Sequence, residues 1–221
     1  MAWGIWDFTH RADAFRVVDV RMPSEPVFKL KEPLLGRNIW ALHLPDIAHE
    51  LRAQQPWLKD VRVVRKLPNI IEIQVIPRRA VAQIKLDRWY RIDGEGVLLP
   101  ELVSPDTPGL VRVLGVRVGR ASLKVGAASP DEGLQLALRV MKRVQSSPVL
   151  TARKLEAVDV SDPAGIRLML DGETEVRCGA EDELSSHLER LRTALRAVQE
   201  ERLTVKYIDV RFQDPVVAPR T

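Results

Sequence analysis

The chain has 221 residues, 45% of them apolar, which is enough to bury the core of one large domain or of two small ones. Its 34 Lys and Arg residues are interspersed with 30 Asp and Glu residues, a pattern that disfavours a nucleic-acid-binding protein. The single cysteine, Cys178, excludes an intramolecular disulfide and a zinc site built from cysteines.

The N-terminal stretch from Met1 to Phe8 holds three aromatic residues, Trp3, Trp6 and Phe8. Two interpretations stay open: an amphipathic helix that packs its aromatic side chains on the domain, or a segment that leaves a membrane interface. No run in the sequence approaches the roughly 20 apolar residues that span a bilayer. Nor does an apolar region follow a basic start, as it would in a signal peptide.

Residues 15–79 predict a small α+β unit of one strand, two helical segments and a β-hairpin. Alternation from Phe15 predicts a strand that ends near Met22, where the first of three closely spaced prolines follows. A short helical or irregular segment is expected to end at Gly36. A helix is then expected from Pro45, because proline suits a first turn and apolar residues recur at helical spacing.

The most regular pattern in the sequence is a predicted β-hairpin within residues 56–82. Apolar and polar residues alternate on both sides of the turn Leu67-Pro68-Asn69. The basic residues of the first strand, Arg62 and Lys66 among them, are expected to lie opposite polar residues of the second. The apolar face of the hairpin requires a cover, which the preceding helix can supply.

Residues 80–215 predict a second unit made mostly of short strands, with Asp-Gly turns after Ile92 and Leu170. A helical stripe begins after Asp131, and Glu183 to Val198 forms a second amphipathic helix. The predicted strands cover residues 80–84, 89–92, 97–99, 110–114, 155–160, 166–170, 174–178 and 203–212.

The predicted last strand, Leu203 to Phe212, is the main candidate for a binding surface. The last strand of a sheet is often an edge, and its unpaired N–H and C=O groups can accept a strand from a partner. The alternative, a last strand that is paired on both sides within its own sheet, fits the pattern equally well.

The sequence predicts no catalytic residues, no metal site and no cofactor. Glycine motifs for nucleotides and a nucleophile elbow are absent, and acidic pairs stand where helices begin, as the helix dipole favours. Cys178 is expected to be a buried, unreactive thiol. Four histidines are too far apart or wrongly spaced to share a metal: His10, His43, His49 and His187.

A set of short motifs resembles, in order and spacing, the FtsQ/DivIB family of bacterial cell-division proteins over most of the chain. The motifs are Gly36-Arg-Asn-Ile39, Pro56-Trp57-Leu58, Val61 to Asn69, Ile71 to Val75, Arg79-X-Val81-Ala82, Tyr90 to Val97 and Tyr207 to Phe212. The resemblance implies an α+β protein with a POTRA domain of β-α-α-β-β order at 15–79. A mixed β domain with two flanking helices and a C-terminal edge strand would follow at 80–215. Residues 1–14 would be a membrane-proximal segment and 216–221 a C-terminal tail.

Members of this family carry a cytoplasmic tail and one transmembrane helix ahead of the POTRA domain. The resemblance therefore implies the periplasmic part of an inner-membrane protein at the division septum, with its transmembrane helix trimmed away or left outside the assigned gene start. It also implies a non-enzymatic divisome scaffold that binds FtsB-like and FtsL-like proteins and helps to control septal peptidoglycan synthesis.

In this family the partner FtsB adds a strand to the last β-strand. Carried over to this sequence, the partner-binding residues are Tyr207, Asp209, Arg211 and Phe212, the last of which stands where the family commonly has Tyr. We expect Phe212→Ala or Arg211→Glu to weaken capture of an FtsB-like peptide while the fold is kept.

A lesser candidate, for a recruitment surface, is the pair Arg62 and Lys66.

Two other functions are weighed against this one. A POTRA-type chaperone or secretion component of an outer-membrane protein assembly or transport system would also bind strands. An envelope enzyme is disfavoured, because the sequence lacks a set of catalytic residues. A basic tail and an apolar span encoded upstream of Met1 would favour the divisome scaffold over the secretion component.

Overall fold

A computed structural model describes residues 13–102, 107–116, 124–149 and 153–220. Contacts along the chain divide it into two units, the first ending at Arg78 and the second starting at Arg79. None of the helices in these described ranges has the length and apolar character needed to cross a membrane.

The first unit is a three-stranded sheet with one α-helix packed on it. Strand β3 is central, since it pairs in parallel with β1 and antiparallel with β2. The predicted hairpin is confirmed: Arg62 lies opposite Gln74, and Lys66 Nζ lies 3.3 Å from Glu72 Oε2. The elements are β1 (Asp19–Arg21), α1 (Leu44–Gln54), β2 (Leu58–Lys66) and β3 (Ile70–Pro77).

The stretch before α1 differs from the prediction in two respects. The first strand begins only at Asp19, because Asp13–Phe15 forms a 3-10 helix. Residues 22–43 then run through turns where the first of two helices was predicted. Prolines remove backbone donors that a helix needs, and buried apolar side chains hold these turns on the core without one. These side chains are Phe28, Leu34, Ile39 and Leu42.

The second unit is built on one mixed sheet of nine strands, counted over the described residues. The strands are β4 (Ala80–Lys85), β5 (Trp89–Asp93), β6 (Leu98–Leu102), β7 (Val111–Leu114), β8 (Leu155–Asp159), β9 (Arg167–Leu170), β10 (Thr174–Arg177), β11 (Val205–Asp209) and β12 (Val216–Pro219). Their order across the sheet is β12-β11-β10-β9-β8-β7-β4-β5-β6. Pairs β4/β7, β7/β8 and β10/β11 are parallel, and the others are antiparallel.

Two helices, α2 (Glu132–Ser146) and α3 (Leu184–Glu200), share one apolar core with this sheet. Asp131 caps α2, with its Oδ1 accepting the Leu134 N–H at 2.8 Å. Leu134 of α2 and Leu191 of α3 are both fully buried. The predicted Asp-Gly turn between β9 and β10 is confirmed, since Asp171 and Gly172 adopt positive φ angles of 51° and 74°.

The C-terminal part of the second unit corrects the predicted edge. Strand β11 is shorter than the predicted strand over 203–212, and it is paired on both sides, with β10 and with β12. The edge is β12, within residues predicted to be a tail. Pro215 precedes this strand and Pro219 is its last residue; neither prevents the strand, because an edge strand tolerates a missing N–H.

Candidate partner-binding site

The four residues predicted to bind a partner lie beside the free edge of the sheet, but only two of them belong to a strand. Tyr207 and Asp209 lie in β11, whereas Arg211 and Phe212 lie in the turn that leads to β12. The Phe212 side chain is 56% exposed, while Asp209 is only 5% exposed. The four therefore differ in what each can offer to a partner.

Strand β12 has one open side: within the described residues, only β11 pairs with it. Just after the strand, the Arg220 N–H donates to Thr204 O at 2.7 Å, on the β11 side. Backbone groups alternate in direction along a strand, so the Ala218 N–H also points toward β11 and the Val217 N–H points to the open side. Val217 is thus the residue of β12 that presents both backbone groups to an incoming strand.

Arg211 is bound by Asp209 and is not a free charge. Its Nε and Nη2 lie 2.9 and 2.6 Å from the two carboxylate oxygens, and its backbone N–H donates to Oδ1 at 3.2 Å. These hydrogen bonds lower the pKa of Asp209 and raise the pKa of Arg211. The pair stays charged at neutral pH and holds the turn that follows β11.

Arg177 on β10 also belongs to this site, and sequence reasoning missed it. Its guanidinium carbon lies 4.0 Å from the centre of the Tyr207 ring, and its Nε lies 2.7 Å from Glu175 Oε1. The hydrogen bond to Glu175 raises the pKa of Arg177. We call Arg177, Tyr207, Asp209, Arg211 and Phe212 the C-terminal cluster.

The parallel register of β10 and β11 brings this cluster together. It places Arg177 opposite Asp209 and Glu175 opposite Tyr207. Alternation around the buried Val176 marks Glu175 and Arg177 as residues of the polar face, which is the signal that the sequence contains. The sequence does not show that β11 is the neighbour of β10, because α3 separates the two strands.

His187 of α3 is buried close to the cluster. A Cβ atom built on Gly179 would lie 3.1 Å from His187 Cε1 and 3.9 Å from Arg211 Cγ. The imidazole is 1% exposed, and among the described residues neither ring nitrogen has a hydrogen-bond partner; the carboxylate oxygen Oε2 of Glu183 lies 3.4 Å from Nε2. Burial lowers the pKa of His187, Arg190 lowers it further, and Glu183 and Asp209 act in the opposite direction.

We expect the stability of the protein to fall as the pH drops below about 6.5, because of His187. Its pKa is lowered in the fold, so the unfolded chain binds the proton first and is favoured by acid. The loss continues until the pH reaches the lower pKa of the folded state, with a slope of at most about 1.4 kcal/mol per pH unit for one group. Urea unfolding between pH 8 and pH 5 measures it.

The variant His187→Leu should lose this part of the pH dependence. His49→Leu, which removes an exposed imidazole and retains His187, serves as the control and should keep it. An unchanged slope in His187→Leu would show that other groups cause the effect.

Cys178, which follows β10, is a buried thiol as predicted. It is 1% exposed, and burial, with a smaller contribution from Asp209, raises its pKa to about 12. The thiolate that reacts with electrophiles is therefore scarce at neutral pH.

The two residues of the predicted recruitment surface lie on β2, an edge strand of the first unit. The side chains of Arg62 and Lys66 are 64% and 55% exposed. Arg62 Nε lies 3.5 Å from Asp60 Oδ2, and Lys66 is paired with Glu72. They belong to the first unit, whereas the C-terminal cluster belongs to the second.

Comparison with known families accounts for both units. The family described as cell division protein FtsQ/DivIB, C-terminal, matches residues 80–211, and the POTRA domain of FtsQ type matches residues 20–76. The chain belongs to the FtsQ/DivIB family of cell division proteins. The FtsQ/DivIB match ends at Arg211, so it includes β11 and stops before β12.

Relatives in this family are similar over most of the chain. Cell division protein FtsQ of Syntrophotalea carbinolica is 26% identical over 198 residues, which cover 89% of this chain and 69% of the relative. FtsQ of Anaeromyxobacter sp. (strain K) is 26% identical over 97% of this chain and 74% of its own length. Cell division protein DivIB of Clostridium acetobutylicum is 28% identical over 84% and 71%, respectively.

Proposed function

We propose that this chain is the extracytoplasmic part of a non-enzymatic divisome scaffold in the bacterial inner membrane at the septum. It captures an FtsB-like protein by strand addition, together with an FtsL-like protein, and so helps to control septal peptidoglycan synthesis. Membership of the FtsQ/DivIB family supports this function over that of an outer-membrane secretion component.

The observation that carries the proposal is the open side of β12 next to the C-terminal cluster. Strand addition draws its affinity from main-chain hydrogen bonds and its specificity from alternating side chains. Val217 supplies the main-chain groups. The exposed Phe212 ring, with the Arg211 guanidinium 5.8 Å from its centre, offers an apolar contact beside them.

The remaining members of the cluster position this contact. Asp209 holds Arg211 and thereby the turn that presents Phe212, and Arg177 stacks on Tyr207 on the polar face of the sheet. The side chains of a strand added to β12 would extend this same face. Arg62 and Lys66 on the edge strand β2 remain our proposal for a recruitment surface.

The test is Val217→Pro in the full chain, with binding to a synthetic peptide of the FtsB-like partner measured by fluorescence anisotropy. Proline removes an N–H that no strand among the described residues accepts, so the circular dichroism spectrum should not change. We expect binding to weaken about tenfold or more, because one main-chain hydrogen bond is lost and the ring occupies the path of the partner strand. Val217→Ala keeps the N–H and is the matched control. Equal affinity of the two variants would exclude β12 as the docking strand.

The structure also decides which side-chain variant is informative. Phe212→Ala removes an exposed ring and should weaken binding several-fold without loss of stability. Arg211→Glu is expected to do more than the sequence indicated, because it places a second carboxylate against the buried Asp209. Lost binding in Arg211→Glu would therefore report in part on the fold.

A further inference from the structure

One end of the first unit exposes several apolar side chains together. Val18, Leu35 and Leu67 are 64%, 58% and 58% exposed, and Trp40 is 37% exposed. We call these four residues, with Arg65 and Lys66, the turn-end surface, because Leu67 lies in the turn between β2 and β3. Exposed apolar residues that cluster in this way mark interaction surfaces more often than isolated ones do.

Backbone and ring contacts join the members of this surface. The Val18 N–H donates to Asn69 O at 3.0 Å, which brings Val18 to the β2–β3 turn. Arg65 donates to Ile39 O at 2.9 Å and lies 5.7 Å from the centre of the Trp40 ring.

Leu35 reaches the same end through the next residue in the chain. The Gly36 N–H donates to Val17 O at 2.8 Å, beside Val18.

The charges at this end are mixed, with a basic excess. Three basic side chains are each paired with a carboxylate: Arg16 with Asp13, Arg37 with Glu32 and Lys66 with Glu72. Arg65 instead donates to the carbonyl oxygens of Ile39 and Leu42, and among the described residues it forms no ion pair with a carboxylate. A tryptophan and aliphatic side chains bordered by Arg and Lys have the composition of protein surfaces at the headgroup level of a bilayer.

The path of the chain points the same way. The 3-10 helix Asp13–Phe15 leads into this end, where Phe15 lies against Trp40 with ring centres 6.2 Å apart. Only four residues separate Asp13 from the aromatic stretch Trp3 to Phe8. Pro77, where the chain leaves the unit, pairs with Leu58 at the other end of β2. At the usual rise per residue, that end lies roughly 26 Å from the turn between β2 and β3.

We infer that the turn-end surface docks on a phospholipid bilayer, with Val18, Leu35, Trp40 and Leu67 entering the headgroup region and Arg65 and Lys66 contacting lipid phosphate. The surface lies outside the proposed partner-binding site. Its test is therefore independent of strand addition at β12.

The first experiment is flotation of the full chain with vesicles of phosphatidylcholine and phosphatidylglycerol in a 3:1 ratio. The double variant Val18→Ser/Leu67→Ser should bind about tenfold more weakly than the unmodified chain, because two apolar side chains no longer leave water. The matched control is Val27→Ser/Leu203→Ser, which removes one exposed Val and one exposed Leu elsewhere. Val27 lies near the opposite end of β2 from Leu67. The side-chain amide of Gln55, which follows α1, donates to the carbonyl oxygen of Val27, and the N–H of Leu58, the first residue of β2, donates to the carbonyl oxygen of Gln55.

A second measurement gives a signal where binding occurs. Because Cys178 is buried, Leu67→Cys and Val27→Cys each introduce one accessible thiol for a polarity-sensitive fluorophore. We expect a blue shift on adding vesicles for the label at position 67 and none at position 27.

If both double variants float like the unmodified chain, the aromatic stretch alone binds lipid and the inference is wrong. It is equally wrong if the chain does not float or if neither label shifts. Vesicles of phosphatidylcholine alone show how much of the binding requires anionic lipid.

Discussion

Gly115→Ala is expected to lower the free energy of unfolding of the second unit by about 3 kcal/mol or more. Gly115 follows β7 and has a φ of +81°, where an alanine is strained. Its added Cβ would also lie 2.1 Å from the backbone N and 2.5 Å from the Cα of Ser161. Those atoms follow β8, which is held to β7 by parallel pairing and by the hydrogen bond from Val160 N to Leu114 O. Relief of the clash therefore separates two central strands.

Gly109→Ala is the matched control for this variant. Gly109 has a φ of +82°, but no atom lies within 4 Å of a Cβ built on it. Its alanine variant should lose only the strain of the left-handed conformation, about 1 kcal/mol. Urea unfolding of both variants separates the two contributions. Similar losses would mean that the strands move apart at little cost and that the close approach of Gly115 to Ser161 is not what requires a glycine.

Leu191→Ala is expected to cost the second unit about 3 kcal/mol. Leu191 is fully buried in α3, within the core that this helix shares with α2 and the sheet. Truncation removes apolar contacts and leaves a cavity. The surrounding helices and strands cannot close this cavity, because their backbones are held by the hydrogen bonds of the helices and of the sheet. Thermal and urea unfolding measure the loss.

Leu203→Ala makes the same chemical change at a site that is 41% exposed. It should cost less than about 1 kcal/mol, because little apolar surface returns to water. A loss for Leu191→Ala as small as that for Leu203→Ala would contradict the placement of α3 on the sheet.

The elements that the sequence predicted well are those whose pattern is local. The hairpin of β2 and β3 is specified by alternation around Leu67-Pro68-Asn69, and α2 and α3 by apolar stripes with an acidic start. Strand β12 was missed because its prolines are usual signals against a strand, and they are compatible with one only at an edge. For the segment before α1 the sequence left a helix or an irregular stretch open, and the structure shows turns, in which buried residues satisfy the core without a regular helix.

The candidate site was predicted in part. Tyr207, Asp209, Arg211 and Phe212 came from a motif, and the structure places all four near the free edge. The binding of Arg211 by Asp209 and the stacking of Arg177 on Tyr207 could not be derived from the motif. Both depend on side-chain positions that a turn and a parallel strand pair create.

The sequence by itself determined the α+β composition, the order of most strands and helices, and the resemblance to the FtsQ/DivIB family, because short-range alternation, turn residues and ordered motifs can be recognised without long-range contacts. Only the tertiary structure decided which strand is the edge, which charges are already paired, and that Val18, Trp40 and Leu67 meet at one end of the first unit. These features arise from pairing between residues distant in sequence, whose register no local pattern records.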